Sequence, residues 1–180
     1  LGFESSVFTL ERPMEHEHHH LSDSITYGVR VSIRHKQSGL LLALLPSQPS
    51  SVDGNCHTLT LVADADATAN SHFRLIPRYK IHSEGDYVCH GDELLVQLFD
   101  RQLYFHTSEA GMPVTELTLK SSVVDENTIE VNGSDTPSAW TIRRYDFGVE
   151  DPEFHRESVR CGRNPCFSGA PVVMVHREKE

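Results

Sequence analysis

The sequence lacks both a long apolar run and an excess of positive charge. Its longest uninterrupted apolar run spans residues 40–45, whereas a membrane-spanning helix needs about 20 such residues. Lys and Arg number 16 against 26 Asp and Glu, which gives a formal net charge of −10 at pH 7. Because sequence-independent nucleic-acid binding depends on basic side chains that neutralise phosphates, this balance argues against a nucleic-acid partner.

Cysteine is scarce, and the sequence motifs of the common enzyme classes are missing. The four cysteines form neither a C-x-x-C pair nor a dense framework, so free thiols are expected rather than disulfides; they are Cys56, Cys89, Cys161 and Cys166. There is no G-x-S-x-G, no Gly-rich phosphate loop and no Ser/His/Asp order that would support nucleophilic catalysis. The sequence therefore predicts a protein that is not an enzyme and that needs no cofactor.

What the sequence does contain is a repeated pattern of short strands. One group places a large aromatic residue two positions before an aliphatic one and ends in Arg; it occurs at 6–12, 71–78 and 138–144. A second group opens with Gly and continues into apolar residues, and it occurs at 28–35, 91–98 and 169–176. No window of useful length shows helical periodicity, so the fold class is predicted to be all-β.

These segments recur at a spacing of about 60 residues, which indicates a repeat architecture. Unit two is predicted at 25–78 and unit three at 86–147, whereas unit one keeps only its last strand at 6–12. Residues 1–147 are therefore interpreted as one domain whose first strands lie upstream. The loop-like composition that follows predicts a linker at 148–169, and 170–180 is interpreted as the first strand of a following domain.

Within units two and three, a third strand and a variable loop complete the predicted pattern. Third strands fit at 56–62 and 114–119, where apolar and polar residues alternate. The loops are expected at 46–54 and 125–137, because both segments are rich in Ser, Asp, Asn, Pro and Gly.

The stretch 79–92 connects unit two to unit three. It holds two Gly-Asp pairs, Gly85-Asp86 and Gly91-Asp92, and each precedes a new apolar segment. Glycine permits the positive φ of a tight turn, and Asp can hydrogen-bond within its own turn. The four residues are therefore interpreted as turn formers rather than as paired carboxylates for acid–base chemistry.

A histidine-rich segment formally matches the zinc-protease motif H-E-x-x-H. His16, His18 and His20 are the candidate metal ligands, but the motif requires a helix with an apolar side packed on the core and a third ligand. Pro13 precedes the segment and it has no apolar stripe, so a solvated loop is favoured, with adventitious metal binding as the alternative.

Several arginines could in principle form a patch for an anionic ligand. Arg143 and Arg144 are adjacent on a strand and therefore point to opposite faces. Arg74, Arg78 and Lys80 are the other candidates. A solvated face is the favoured interpretation for all of them.

The combination of these motifs resembles the N-terminal region of the inositol trisphosphate receptor and ryanodine receptor family, whose repeats are called MIR motifs. The resemblance extends from Phe8 to about His176. Its most specific part is Phe73-x-x-Ile76-Pro77-x-Tyr79-Lys80-x-x-Ser83-x-Gly85-Asp86-x-Val88-x-x-Gly91-Asp92. Pro77-x-Tyr79-Lys80 and Glu130-Val131-Asn132 are closer to the inositol trisphosphate receptor, whereas Arg34-His35 and Ser83-Glu84-Gly85 are closer to the ryanodine receptor.

The resemblance implies a β-trefoil, in which three units of four strands form a six-stranded barrel capped by three hairpins. It also implies a regulatory suppressor-type domain that does not touch the ligand. Inositol trisphosphate would be bound by the following domains, and the partners would be those domains and the neighbouring subunits of a homotetramer. The full-length channel would lie in the endoplasmic reticulum membrane with this part on its cytoplasmic face.

Two departures from the family pattern affect what can be carried over. The segment 12–24 is too short for the helix-turn-helix arm that the family places between units one and two. Arg74 stands where the interface loop of the family often carries an aromatic residue, which makes Arg74 the predicted inter-subunit contact.

Two other classes of function remain open. One is a MIR-type module of an endoplasmic-reticulum glycosyltransferase or its companion, and the expected free cysteines argue against that lumenal compartment. The other is a sugar-binding trefoil, which would need an aromatic residue with Asp and Asn in each unit.

Overall fold

A computed structural model describes residues 7–12, 24–109, 129–145 and 163–176. The described residues form ten β-strands and two single-turn 3₁₀ helices, Asp64–Asp66 and Ala69–Ser71, and they contain no α-helix. The prediction of an all-β fold is therefore confirmed. The strands are β1 Val7–Glu11, β2 Arg30–His35, β3 Leu41–Pro49, β4 His57–Val62, β5 Phe73–Pro77, β6 Glu93–Leu98, β7 Tyr104–Glu109, β8 Ile129–Ser134, β9 Trp140–Arg144 and β10 Pro171–His176.

Six of the strands close into an antiparallel ring. The order is β1–β10–β9–β6–β5–β2, and β2 pairs back to β1. Closure leaves no free sheet edge among these strands. Alternate residues point inward and are fully buried, as successive side chains of a strand point to opposite faces; they include Leu10, Val31, Ile33, Phe73, Leu75, Leu94, Val96, Ile142 and Val172.

Two hairpins cover one end of the ring. They are β3–β4 and β7–β8, and they are joined through the pairing of His57 with Gly133. Phe105 of β7 packs edge-on against Phe73 and Trp140, with ring centroids 5.1 Å and 6.3 Å apart. A Cβ at Gly133 would overlap the side chain of Leu44, so the close packing of the two hairpins depends on glycine there.

A cycle of three backbone hydrogen bonds closes the opposite end. Ile25 N donates to Cys166 O at 2.7 Å, Cys166 N donates to Val88 O at 2.7 Å, and Val88 N donates to Ile25 O at 2.9 Å. We call these three residues the apex ring. All three side chains are fully buried, so the apex ring satisfies its backbone groups where water has no access.

Each residue of the apex ring is followed three positions later by a glycine in the left-handed region. Gly28, Gly91 and Gly169 have φ values of 83°, 86° and 80°. Their amides donate to the carbonyls of Leu75, Ile142 and Leu10, respectively, at 2.8–3.0 Å. Three segments thus repeat one local geometry around the barrel, which is consistent with a β-trefoil-like all-β fold.

The assignment of the C-terminal residues to a linker and a following domain was wrong for the part that the structure describes. β10 lies between β1 and β9 in the same ring, and Cys166 supplies the third member of the apex ring. The segment 169–176 has the Gly-plus-apolar pattern of the strands that open units two and three. It belongs to this barrel because it hydrogen-bonds to β1 on one side and to β9 on the other. Without it, those two strands would each have a free edge.

The third strand of unit two was predicted correctly, and that of unit three was not located by the sequence. β4 at His57–Val62 matches the predicted 56–62. The predicted strand 114–119 lies outside the described residues, and β8 instead occupies part of the segment 125–137 that was interpreted as a loop.

Candidate functional site

The two Gly-Asp pairs of the 79–92 connection form turns, as the sequence predicts. Gly85 has φ 90° and Gly91 has φ 86°. The Asp86 carboxylate accepts a hydrogen bond from Ser83 N at 2.8 Å, and the Asp86 carbonyl accepts one from Tyr27 N at 2.9 Å. Gly85 and Asp86 therefore shape the chain and fasten it to the segment before β2.

Asp92 does more than form a turn, because it joins all three segments that meet at the apex ring. It is 6% exposed. One carboxylate oxygen accepts hydrogen bonds from the Tyr27 hydroxyl and from Cys89 N, both at 2.9 Å. The other oxygen pairs with the Arg163 guanidinium. Burial, together with the charge of Asp92, raises the pKa of Tyr27 above its ordinary range, so the tyrosine remains a hydrogen-bond donor.

His82 completes this group, which we call the Asp92 latch: Tyr27, His82, Asp92 and Arg163. The His82 ring stacks on Tyr27 with centroids 5.9 Å apart and planes 17° from parallel. Its Nε2 lies 3.1 Å from a terminal nitrogen of Arg163. The buried carboxylate is thus neutralised and fully hydrogen-bonded, as a buried charge requires. The arrangement is suited to holding the three segments together rather than to chemical reaction.

One sequence signal could have located the latch. Asp92 follows the positive-φ glycine of unit three, whereas the equivalent positions of the other two segments hold Val29 and Ala170. A charged residue at a position that is otherwise apolar predicts a buried partner. Arg163, 71 residues away, could not be identified as that partner without the fold.

A second carboxylate fastens the loop after β3 to the β7–β8 hairpin. Glu130 accepts hydrogen bonds from the hydroxyls of Ser50 and Ser51 and from Val52 N. Burial acts to raise the pKa of Glu130, but these hydrogen bonds outweigh it and lower the pKa below the ordinary value. Asn132, fully buried beside it, donates to Ser108 at 2.9 Å. This cluster is structural, and no local sequence signal connects 50–52 with 130–132.

Arg74, the predicted interface residue, points away from the barrel interior on β5. Its Nε donates to Gln97 Oε1 at 2.7 Å, and Gln97 Nε2 donates to the Tyr104 hydroxyl at 3.3 Å. Gln97 is only 2% exposed. The buried amide therefore fixes the orientation of the Arg74 guanidinium, whose Nε makes its hydrogen bond to a described residue.

Arg30 of β2 lies directly opposite Arg74 across the β2–β5 pairing. The Arg30 guanidinium lies over the Phe99 ring, 5.9 Å from its centroid. Burial, and then the positive charge of Arg30, lowers the pKa of His72. We call Arg30 and Arg74 the arginine pair. The sequence favoured a solvated face over a patch of Arg74 with Arg78 and Lys80, and the strand register places Arg30, not Arg78 or Lys80, opposite Arg74.

Other arginines of the barrel meet carboxylates of the same chain. Arg34 bonds both oxygens of Glu11, at 2.7 Å and 2.9 Å, and bonds Asp64 at 2.9 Å, and these hydrogen bonds raise its pKa. Arg78 pairs with Glu93 at 2.8 Å. Arg74 therefore differs from Arg34 and Arg78 in having an amide oxygen where they have a carboxylate.

The described residues include no group of three His, Cys, Asp or Glu side chains placed to hold a metal ion. His16, His18 and His20 lie outside the described residues, so their metal-ligand interpretation stays a prediction. The thiols of Cys56, Cys89 and Cys166 are buried and form no disulfide. Within the described ranges, no helix is both long enough and apolar enough to cross a membrane.

Comparison with known proteins identifies the family. The family model described as "Inositol 1,4,5-trisphosphate/ryanodine receptor" matches residues 4–151. A search of curated proteins gives no match to this sequence. The match covers most of the 180 residues and includes the 79–92 connection, the Asp92 carboxylate and both members of the arginine pair. The chain belongs to the inositol 1,4,5-trisphosphate/ryanodine receptor family.

Proposed function

We propose that this chain is a regulatory, non-catalytic β-trefoil module of an intracellular calcium-release channel. It couples ligand binding in the following domains to gating through contacts with neighbouring subunits. The full-length channel is a homotetramer of the endoplasmic reticulum membrane, with this module on the cytoplasmic face. Family membership supports a receptor-channel module, and the coupling role is the part that we add.

The observation that carries the proposal is the construction of the 79–92 connection. Tyr79, Ile81 and Tyr87 expose 47%, 79% and 37% of their surfaces. Ile81 directly precedes His82, and the same connection ends in Asp92, so exposed apolar side chains and the Asp92 latch share one short segment. A neighbour that packs on these side chains would act on the residues that hold the three segments together.

Coupling of this kind changes the populations of two subunit arrangements and does not require a force to pass along the chain. Contacts with neighbours favour one arrangement of subunits, and ligand bound elsewhere favours another. Coupling exists only if the neighbour contacts and the ligand each have different free energies of interaction with the two arrangements. The 79–92 connection is the part of this module that we assign to the neighbour contact, and Arg74 at the adjacent strand β5 is its charged component.

We assign the chain to the inositol trisphosphate receptor type rather than the ryanodine receptor type. The residues that support this lie next to the proposed contact: Pro77 ends β5, and the Tyr79 hydroxyl donates to Glu93 at 3.0 Å. Inositol trisphosphate itself is expected to bind in the following domains through Arg and Lys, and no residue of this chain is assigned to it.

Calorimetric titration of this chain with inositol trisphosphate tests whether the ligand binds to this chain or only to the following domains. We expect no binding heat. Micromolar or tighter binding would show that the ligand site lies in this chain and would overturn the proposal.

The coupling role is tested in a full-length channel that carries this module. Ile81→Ser should change the apparent ligand affinity and the ligand dependence of channel opening, because it removes the most exposed apolar side chain of the connection. Leu61→Ser, which changes a 37% exposed residue on β4, is the matched control. Equal effects of the two variants would rule out a contact specific to the 79–92 connection.

A further inference from the structure

We propose that His106 and His176 form a proton-binding pair that holds a single proton between them. His106 lies on β7, in one of the hairpins that cover the barrel, and His176 is the last residue of β10. The hydroxyl groups of Thr107 and Ser138 join the two rings. The proposal goes beyond the regulatory role proposed above and does not depend on it, because it concerns the chemistry of this group alone.

A continuous row of polar contacts connects the two rings. His106 Nδ1 lies 3.2 Å from the Ser138 hydroxyl oxygen, which lies 3.3 Å from that of Thr107. The Thr107 hydroxyl oxygen in turn lies 3.0 Å from His176 Nε2. The Ser138 oxygen also accepts a hydrogen bond from Thr107 N at 3.2 Å. The row therefore ties the β7–β8 hairpin to the segment before β9 and to the end of β10.

The row can hold one proton without losing a hydrogen bond. A hydroxyl group has one hydrogen to donate, and a neutral imidazole has one nitrogen that donates and one that accepts, whereas both nitrogens of a protonated imidazole donate. When His176 donates to Thr107, Thr107 can donate to Ser138, and Ser138 can donate to His106. The same bonds can run in the opposite direction. A proton on either ring is therefore accommodated, provided that the other ring is neutral and accepts.

A second proton has no such arrangement. With both rings protonated, His106 and His176 both donate into the row, and the Ser138 oxygen accepts from His106 and from Thr107 N. Ser138 must then donate to Thr107, whose own hydroxyl hydrogen is left without an acceptor in the row. A lost hydrogen bond and a second positive charge in one group both cost free energy. Binding of one proton therefore opposes binding of the other, which makes the two rings a coupled pair.

The surroundings of the pair favour a charge on either ring. Among the described side chains, Asp53, in the loop between β3 and β4, acts on His106. A backbone hydrogen bond from Asn55 and, to a smaller extent, the positive charge of His106 lower the pKa of Asp53, and the same attraction favours the charged form of His106. His176 packs against the Trp140 ring with centroids 5.3 Å apart, and a cation is attracted to an indole ring. Either ring can carry the first proton, so a test must follow both.

The pair makes the connection between the β7–β8 hairpin and β10 sensitive to pH. Histidine is the side chain whose charge ordinarily changes between about pH 5 and 8. The connection keeps its hydrogen bonds when both rings are neutral and when one is protonated, and it weakens when the second proton enters. Acidification through that range should therefore loosen the hairpin from β10.

An NMR titration of the full 180-residue chain over this pH range tests the proposal. It follows the imidazole signals of His106 and His176, which are assigned by their loss in the single variants. The indole N–H signal of Trp140 reports on His176 independently, because the two rings are in contact and the chain has one tryptophan.

Replacement of one ring measures the coupling to the other. Glutamine can accept a hydrogen bond from the adjacent hydroxyl but cannot become charged. His106→Gln and His176→Gln should each let the remaining ring take up its proton at higher pH, by roughly one pH unit for the ring that is otherwise protonated second. His90→Gln removes an imidazole beside the apex ring, at the opposite end of the barrel, and should leave both titrations unchanged. Shifts no larger than those of His90→Gln would overturn the proposal.

Thr107→Val tests whether the hydroxyl groups carry the coupling. Valine keeps the β-branched shape of threonine but removes the oxygen that joins Ser138 to His176. In the Thr107→Val chain, the shift that His106→Gln causes at His176 should shrink, and a double-mutant cycle measures the difference. Ser138→Ala breaks the row at its other hydroxyl and gives a second cycle if the valine chain does not fold. A shift of unchanged size in these cycles would show that charge alone couples the rings and would overturn the shared proton.

Discussion

Two regions of this barrel differ in how their charged side chains are paired. At the end closed by the apex ring, buried Asp92 is matched within the chain by Arg163, Tyr27 and Cys89 N. On the outer face of β2 and β5, Arg30 and Arg74 oppose each other, and Arg74 meets only an amide oxygen. The first arrangement holds the fold together. In the second, the described hydrogen bond of the Arg74 side chain is to an amide and not to a carboxylate.

The difference teaches how to separate structural from functional charge in such a domain. Removing a member of a matched, buried group leaves other polar atoms without partners, so stability falls. Replacing Arg74, which bonds an amide oxygen rather than a carboxylate, leaves no buried charge without its counter-charge, so stability should hold or rise slightly. The sign of the stability change therefore distinguishes the two regions.

The largest effect is expected from Asp92→Ala. It leaves the Tyr27 hydroxyl, Cys89 N and Arg163 without their shared acceptor, so the free energy of unfolding should fall by about 3 kcal/mol. Urea denaturation of the full chain measures this. Asp100→Ala removes an exposed carboxylate and is the control. A loss below about 1 kcal/mol would mean that the latch is no stronger than a surface ion pair.

The next effect tests whether the segment 163–176 belongs to this barrel. Gly169 has φ 80°, and its amide donates to Leu10 O at 2.8 Å. Gly169→Ala should lower the free energy of unfolding by about 1–2 kcal/mol, because a Cβ is disfavoured in the left-handed region. Gly54→Ala is the control, since Gly54 has no positive φ and no neighbour near an added Cβ.

Equal stability of the Gly169→Ala and Gly54→Ala variants would restore the linker interpretation. In that case β10 would contribute nothing to the barrel, and the open flanks of β1 and β9 would need another strand.

A smaller, pH-dependent effect is expected at Glu130, a second matched carboxylate. Its pKa is lowered in the folded chain, so the unfolded chain binds its proton more readily. The resulting stability is present above the unfolded pKa and is lost as the pH falls through the folded pKa. Glu130→Gln should cost roughly 1 kcal/mol at neutral pH and should reduce the loss of stability in acid.

Urea denaturation at neutral pH and at a pH below the ordinary pKa of glutamate, on the unmodified chain and on Glu130→Gln, checks this sign. A Glu130→Gln chain that loses as much stability in acid as the unmodified chain would contradict the role assigned to the carboxylate.

The strands that open a unit were predictable from sequence because their signal is local. A glycine that must adopt positive φ, followed by apolar alternation, marks 28–35, 91–98 and 169–176. Which barrel the third of them joins was not predictable, because that depends on the flanks of β1 and β9. β8 was missed for a different reason: Asn132 and Gly133 are poor strand formers, and only contacts with Ser108 and Leu44 account for them.

The candidate sites divide in the same way. The turns at Gly85-Asp86 and Gly91-Asp92 followed from residue type alone, and both are present. The partners of Asp92 and of Arg74 could not be predicted from residue type. Arg163 is distant from Asp92 in sequence and reaches it only because the barrel closes. Arg30 is distant from Arg74 and lies opposite it only because of the β2–β5 register. The sequence favoured a solvated face over a basic patch of Arg74 with Arg78, and Arg78 in fact pairs with Glu93.

The smallest expected change, and the one of opposite sign, is in Arg74→Gln. A neutral side chain at this position removes the repulsion with Arg30 and can still bond the Gln97 amide. The free energy of unfolding should therefore stay constant or rise by up to about 0.5 kcal/mol, measured by urea denaturation. Arg34→Gln, on the strand of Arg30, is the matched control and should destabilise by about 1 kcal/mol, because Glu11 and Asp64 lose their counter-charge. If Arg74→Gln destabilised the chain as much as Arg34→Gln does, Arg74 would be a structural residue. The contrast between the two regions would then disappear, since both would be explained by folding.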